Sequence, residues 1–168
     1  MASWAEFESE APELAGRVKR YFDAHGHKTV ATLRRGGSPR ICGTELMSYD
    51  GQLWLAGMLG ALRFADLRRD PRFALHSGSD GPELWRSKPE RVGDAKVAGT
   101  ALEVTDHDVI AAVAAAASAE APPEEQAEPG SFELFRLDLT EAVVVRIGDG
   151  HLLVESWHEG RGVQRAER

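Results

Sequence analysis

Two arginines carry the most legible chemistry in this chain. Arg40 follows a Ser-Pro turn into a β-prone run, and Arg63 opens a helical stretch just after Gly57-Met58-Leu59-Gly60. A guanidinium grips phosphate oxygens in a two-pronged way and stays charged at any working pH. Near a helix N-terminus, free backbone N–H groups add to the preference for an anion. Arginines are mostly solvated surface residues, so type alone does not single these two out. Gly57 and Gly60 would let the backbone approach a ligand closely, or simply turn the chain from strand to helix. Gly43 and Thr44 could offer an amide and a hydroxyl to a ligand edge, or be ordinary strand residues.

Other chemistry is narrowed by what the residues do not form. Cys42 is the one cysteine, so neither an intramolecular disulfide nor a cysteine-rich zinc site is available. Inside a strand it reads as a small apolar residue rather than a nucleophile. Among the six histidines, His25 and His27 bracket Gly26, His107 and His151 fall in turns, and His76 ends a strand. None has metal-ligand spacing with another, and no histidine–carboxylate pairing supports hydrolysis, so no metal site is expected. The net charge of −7 argues against nucleic acid as a partner, because phosphate backbones need a basic field. The first residues carry acids where a signal peptide has a basic region, and no apolar run has the length of a membrane span. A cytoplasmic protein is expected.

The elements that must hold these residues alternate between two periods. Residues 11–25 predict a helix, with Pro12 in its first turn, Leu14, Val18, Tyr21 and Phe22 on one face, and Gly26 as the stop. Trp4 and Phe7 just before it are expected to pin the segment to the body. Strands are predicted over 29–33, 39–47, 52–56 and 72–77, with a helix over 61–69 closed by Asp70-Pro71. A loop over 78–93 contains Trp85; a strand follows over 95–104, then a helix N-capped by Asp106 that runs through the alanines 111–117. The segment 118–130 reads as a flexible loop, and strands over 132–137, 142–147 and 152–157 complete the chain, the last two joined by an Asp149-Gly150 turn. Short strands joined by tight turns predict a single domain, 1–168, mainly β: an antiparallel barrel with helical insertions and an N-terminal helical segment, 1–27.

The run Ala31-Thr32-Leu33, Gly37-Ser38-Pro39-Arg40-Ile41, Asp50-Gly51-Gln52-Leu53-Trp54-Leu55 and Asp66-Leu67-Arg68-Arg69-Asp70-Pro71-Arg72-Phe73-Ala74-Leu75 resembles the pyridoxamine-phosphate oxidase-like family, and Gly93 to Ala101 resembles its next strand. The resemblance implies a split barrel of the FMN-binding type that forms a homodimer, with FMN or the deazaflavin F420 between subunits. It implies that Arg40, Ile41, Cys42, Gly43, Thr44 and Glu45 run under the flavin. Ala56 and Gly57 would lie beside its ring and ribityl chain, and Arg63 would hold its phosphate. Trp157, in the C-terminal segment, would also approach the cofactor. Two positions depart from the family's pattern: Ala61 stands where a serine is common, and Glu45 where the vitamin B6 oxidases have a lysine.

The implied function is an FMN-dependent oxidoreductase passing hydride or electrons to a small molecule, with no catalytic residue evident. F420 is the rival cofactor. Its acidic tail would need cations, offered by Lys28, Arg34 and Arg35, or by Arg68, Arg69 and Arg72. A non-catalytic flavin binder and a cofactor-less structural dimer are the other readings.

Overall fold

The computed structural model describes residues 1–79, 92–119, 130–148 and 151–167. The predicted turn at 149–150, most of the loop 78–93 with Trp85, and most of the loop 118–130 lie outside these residues.

The N-terminal segment is two helices, not one. Ser3 caps α1 (Trp4–Glu10) through a reciprocal pair of hydrogen bonds with Glu6, a capping box. Ala11 ends α1 and leads into α2 (Pro12–Asp23), whose first turn takes Pro12 at no cost in hydrogen bonds. Trp4 and Phe7 are buried as expected, and Phe7 packs 4.8 Å from the ring of Trp157. Leu14, Ala15, Val18 and Phe22 turn the other helix's apolar face into the same core.

Nine strands, all antiparallel, make up the sheet among the described residues: β1 (Lys28–Leu33), β2 (Pro39–Thr44), β3 (Met47–Tyr49), β4 (Gln52–Met58), β5 (Arg72–His76), β6 (Gly93–Val104), β7 (Phe132–Gly148), β8 (His151–His158) and β9 (Gly162–Glu167). Their order is β2-β1-β5-β6-β7-β4-β3, with β8 and β9 added beside β7. The predicted strand 39–47 breaks at Glu45-Leu46 into β2 and β3. The predicted strands 132–137 and 142–147 are one 17-residue strand, kept paired to β6 across a register shift at Ala98/Gly99. Gly99 is required there: a Cβ would stand 1.9 Å from the Asp138 carbonyl oxygen.

The long β7 splits the barrel. One of its edges pairs with β6 throughout, while the other pairs first with β4 and then with β8. The described strands do not close into a continuous ring, and the architecture is a split barrel. Two insertions sit against it. Helix α3 (Leu62–Arg69) buries Phe64 and Leu67 in the main core. Helix α4 (His107–Ser118), N-capped by Asp106, lays Val113 against Trp54 and Leu134 in a second, smaller core.

Candidate functional site

Strand β2 divides its residues by alternation. Pro39, Ile41 and Gly43 are exposed, whereas Arg40, Cys42 and Thr44 turn inward. Cys42 packs on the main core as a partly buried apolar group. Thr44 is buried, and its hydroxyl donates to the Glu45 carbonyl at 3.2 Å. The register places Arg40 directly across from Thr32 of β1. Both reach the buried Asp66 of α3, Arg40 Nε at 2.6 Å and Thr32 Oγ1 at 3.2 Å, and Arg69 adds two longer bonds at 3.2 Å. Burial raises the Asp66 carboxyl, but the hydrogen bonds from Arg40, Arg69 and Thr32 outweigh it and hold the group below its ordinary value. Arg40 therefore carries its own buried counter-ion, a partner 26 residues further along the chain.

Arg63 is placed differently. Its side chain lies back over the end of β4, with Nη2 donating to the Ala56 carbonyl at 3.4 Å and the guanidinium carbon 4.7 Å from the Phe64 ring centre. Gly57 makes room for it: a Cβ there would stand 2.0 Å from Arg63 Nη2. The Arg63 Nε is buried and has no hydrogen-bond partner. No carboxylate pairs with Arg63 among the described residues. Ala61, at the helix N-cap, supplies no side-chain hydrogen bond.

Beside Gly57 a groove of about 480 Å³ opens between the β3–β4 hairpin and α4. Glu45, Ala56 and Gly57, three of the residues singled out in the sequence, line it together with Met47, Trp54, Met58 and Phe132. Sequence reasoning missed the opposite wall, Val113, Ala114, Ala117 and Ser118 of α4. The only hint was the alanine run, whose small side chains favour helix and leave space beside it.

One expectation is corrected. Trp157 does not face this groove: it is fully buried, packs on Phe7, and donates its indole N–H to Glu10 Oε2 at 3.0 Å. Its apolar body and its one donor are both used inside the core, so no surface remains for a cofactor. Four of the six cations proposed for an acidic tail are also committed. Arg68 binds Glu103 and Glu133, Arg69 binds Asp66, and Arg72 binds Asp70. Lys28 is buried, with its ammonium on the carbonyls of His25 and Gly26.

A family model described as pyridoxamine 5'-phosphate oxidase matches residues 14–146. The chain belongs to the pyridoxamine 5'-phosphate oxidase family. Among curated proteins none matches in sequence. Solved structures share the fold at low identity. A NimC/NimA family protein of Clostridium acetobutylicum is 14% identical at a TM-score of 0.62, covering 90% of this chain and 94% of that one. A general stress protein 26 relative of the pyridoxinephosphate oxidase family, from the same organism, is 12% identical at 0.59, covering 81% and 89%. A heme binding protein of Mycobacterium smegmatis is 21% identical at 0.58, covering 93% of this chain and 58% of that one.

The match spans β1 to most of β7 and so takes in every wall of the groove. This member of the pyridoxamine 5'-phosphate oxidase family has an arginine over the β4 terminus and a carboxylate, Glu45, at the groove. No helix among the described residues is long and apolar enough to cross a membrane.

Proposed function

We propose that the chain binds FMN at the end of β4 and transfers hydride or electrons between it and a small molecule. The observation that carries this reading is Arg63. A guanidinium held over a glycine, with a buried Nε lacking any partner, is a donor set waiting for an anion. Family membership supports the same assignment. Arg63 would hold the phosphate, and the backbone of Ala56 and Gly57 would border the ring and ribityl chain. Bound FMN would supply the redox chemistry itself. The chain's own part is to bind, to orient, and to keep water from the groove between β4 and α4.

The relatives include heme-binding proteins, but none of the six histidines lines the groove. F420 is the other candidate on this fold. The pairing of Arg68, Arg69 and Arg72 with carboxylates leaves that one of the two cation groups little surplus charge for an acidic tail. A homodimer fits the exposure of Ile41, Met58, Leu59 and Leu62, large apolar side chains that are 61–81% accessible in the single chain.

Equilibrium titration of the purified protein with FMN, read by flavin fluorescence, tests the reading. Binding in the micromolar range is expected. Arg63→Ala should weaken it by about 1.5–3 kcal/mol, the worth of a charge-assisted contact. No binding at tens of micromolar, or an unchanged affinity in Arg63→Ala, would overturn the assignment.

A further inference from the structure

The groove beside Gly57 has a chemical character of its own. Its walls are Met47, Trp54, Ala56, Val113, Ala114 and Phe132, and among the described residues that line it Glu45 is the one charged group. Trp54 is fixed as a wall, its indole N–H donating to the Tyr49 carbonyl at 3.0 Å. The opposite wall is the last two turns of α4, where Ala114, Ala117 and Ser118 face the space. A helix C-terminus carries partial negative charge. Lys28, whose charge Glu45 favours, has its ammonium buried on two backbone carbonyls and does not line the groove. The volume, about 480 Å³, is that of a small-molecule site.

We infer that this groove binds an amphipathic organic cation, a small molecule with a flat apolar body and a protonated amine, and that Glu45 selects for the amine. The inference deepens the proposed function, resting on it only in making this molecule the cofactor's reaction partner. The apolar body lies along the wall of Met47, Ala56 and Phe132, facing the alanines of α4, and the ammonium meets the Glu45 carboxylate at the rim, aided by the α4 terminus. An anionic analogue meets the same walls with like charge facing it, and repulsion of that kind is how a site rejects a near-isostere.

The test uses the full chain and two probes of matched shape and opposite charge, 4-phenylbutylammonium and 4-phenylbutyrate, titrated calorimetrically with and without FMN. The ammonium should bind at least about tenfold tighter than the carboxylate, a gap of about 1.4 kcal/mol. Glu45→Gln should remove most of that gap, and Glu45→Lys should reverse it. Ala117→Trp, at an exposed position on the groove wall, should weaken both probes while leaving the urea midpoint unchanged. Equal affinities, a preference for the carboxylate, or a gap that survives Glu45→Gln would each overturn the inference. If FMN binds and the ammonium does not, the inference falls and the cofactor assignment stands. If the ammonium binds and FMN does not, the reverse holds.

Discussion

Asp66→Ala is the substitution with the largest expected effect per atom removed. The carboxylate is 4% exposed and accepts from Thr32, Arg40 and Arg69. Removing it leaves the Arg40 guanidinium, whose side chain is 19% exposed, without its counter-ion. Breaking a buried ion pair in this way costs about 3–5 kcal/mol, and the residual exposure of Arg40 puts this case at the lower end. The Thr32 hydroxyl, buried with its strand, loses its acceptor for about 1 kcal/mol more. Arg69 is a third exposed and recovers its hydrogen bonds from water, so it adds little. The sum is about 3–4 kcal/mol. At a urea slope of about 2 kcal/mol/M the unfolding midpoint falls by roughly 1.5–2 M with the slope unchanged. Arg40→Ala should cost less alone, and the double variant should show strong coupling in a mutant cycle. A loss below about 1 kcal/mol in Asp66→Ala, the worth of a solvent-screened pair, would refute the reasoning. If Arg40→Ala left stability intact and instead weakened FMN, Arg40 would be a phosphate ligand after all.

Three further outcomes follow from the same structure. Because the Asp66 carboxyl is held below its ordinary value, its contribution is complete above the unfolded value of about 3.9 and is lost as pH falls through the folded one; acid unfolding monitored by circular dichroism should show Asp66→Asn less stable at neutral pH and less sensitive to acid below about pH 4. Gly57→Ala should push the Arg63 guanidinium off the Ala56 carbonyl, since the added carbon lands 2.0 Å from Nη2; FMN affinity should fall about as far as in Arg63→Ala, with the melting temperature little changed, and a wild-type affinity would show that Arg63 does not need that seat. Leu59→Asp with Leu62→Asp should give a monomer mass by light scattering where the parent gives a dimer, because each charge would sit in an apolar interface; a parent that is already monomeric at micromolar concentration removes the dimer.

The fold was legible where alternation and turn residues agree, and illegible where pairing is decided at a distance. Strand β1, β4 and β5 stand within two residues of their predicted bounds because Gly36-Gly37, Asp50-Gly51 and Asp70-Pro71 punctuate apolar runs. Helix α1 fell inside the predicted helical segment 1–27 but was not delimited, although Ser3 and Glu6 are its signature, since seven residues are too few to show a helical period. Strand β7 was read as two, 132–137 and 142–147; between them Leu139 is fully buried and paired to Gly99, which holds the strand together. Strand β9 has exposed residues on both faces and pairs only with β8, so it offers no alternation to detect. The α4 wall of the groove lay beyond sequence reasoning for another reason: nothing in a run of alanines says which strands it will cover.

Arg40 and Arg63 show why residue type and motif position stop short of function. In the sequence the two look equivalent, each a cation beside a turn in a stretch with family resemblance. Their difference comes from one acid, Asp66 of α3, which reaches both Thr32 and Arg40 where the antiparallel register of β1 and β2 sets those two side by side. A guanidinium with a buried carboxylate on its Nε gains little from a second anion, because much of its field is already neutralised and its direction fixed. A guanidinium over a glycine, with a buried Nε unpartnered, gains the full interaction when a phosphate arrives. The same comparison orders the rest of the basic residues, since Arg68, Arg69 and Arg72 all face carboxylates and Lys28 faces carbonyls. The proposed anion site thus rests on which cation the fold leaves without a carboxylate, and around β4 and α3, among the described residues, that cation is Arg63.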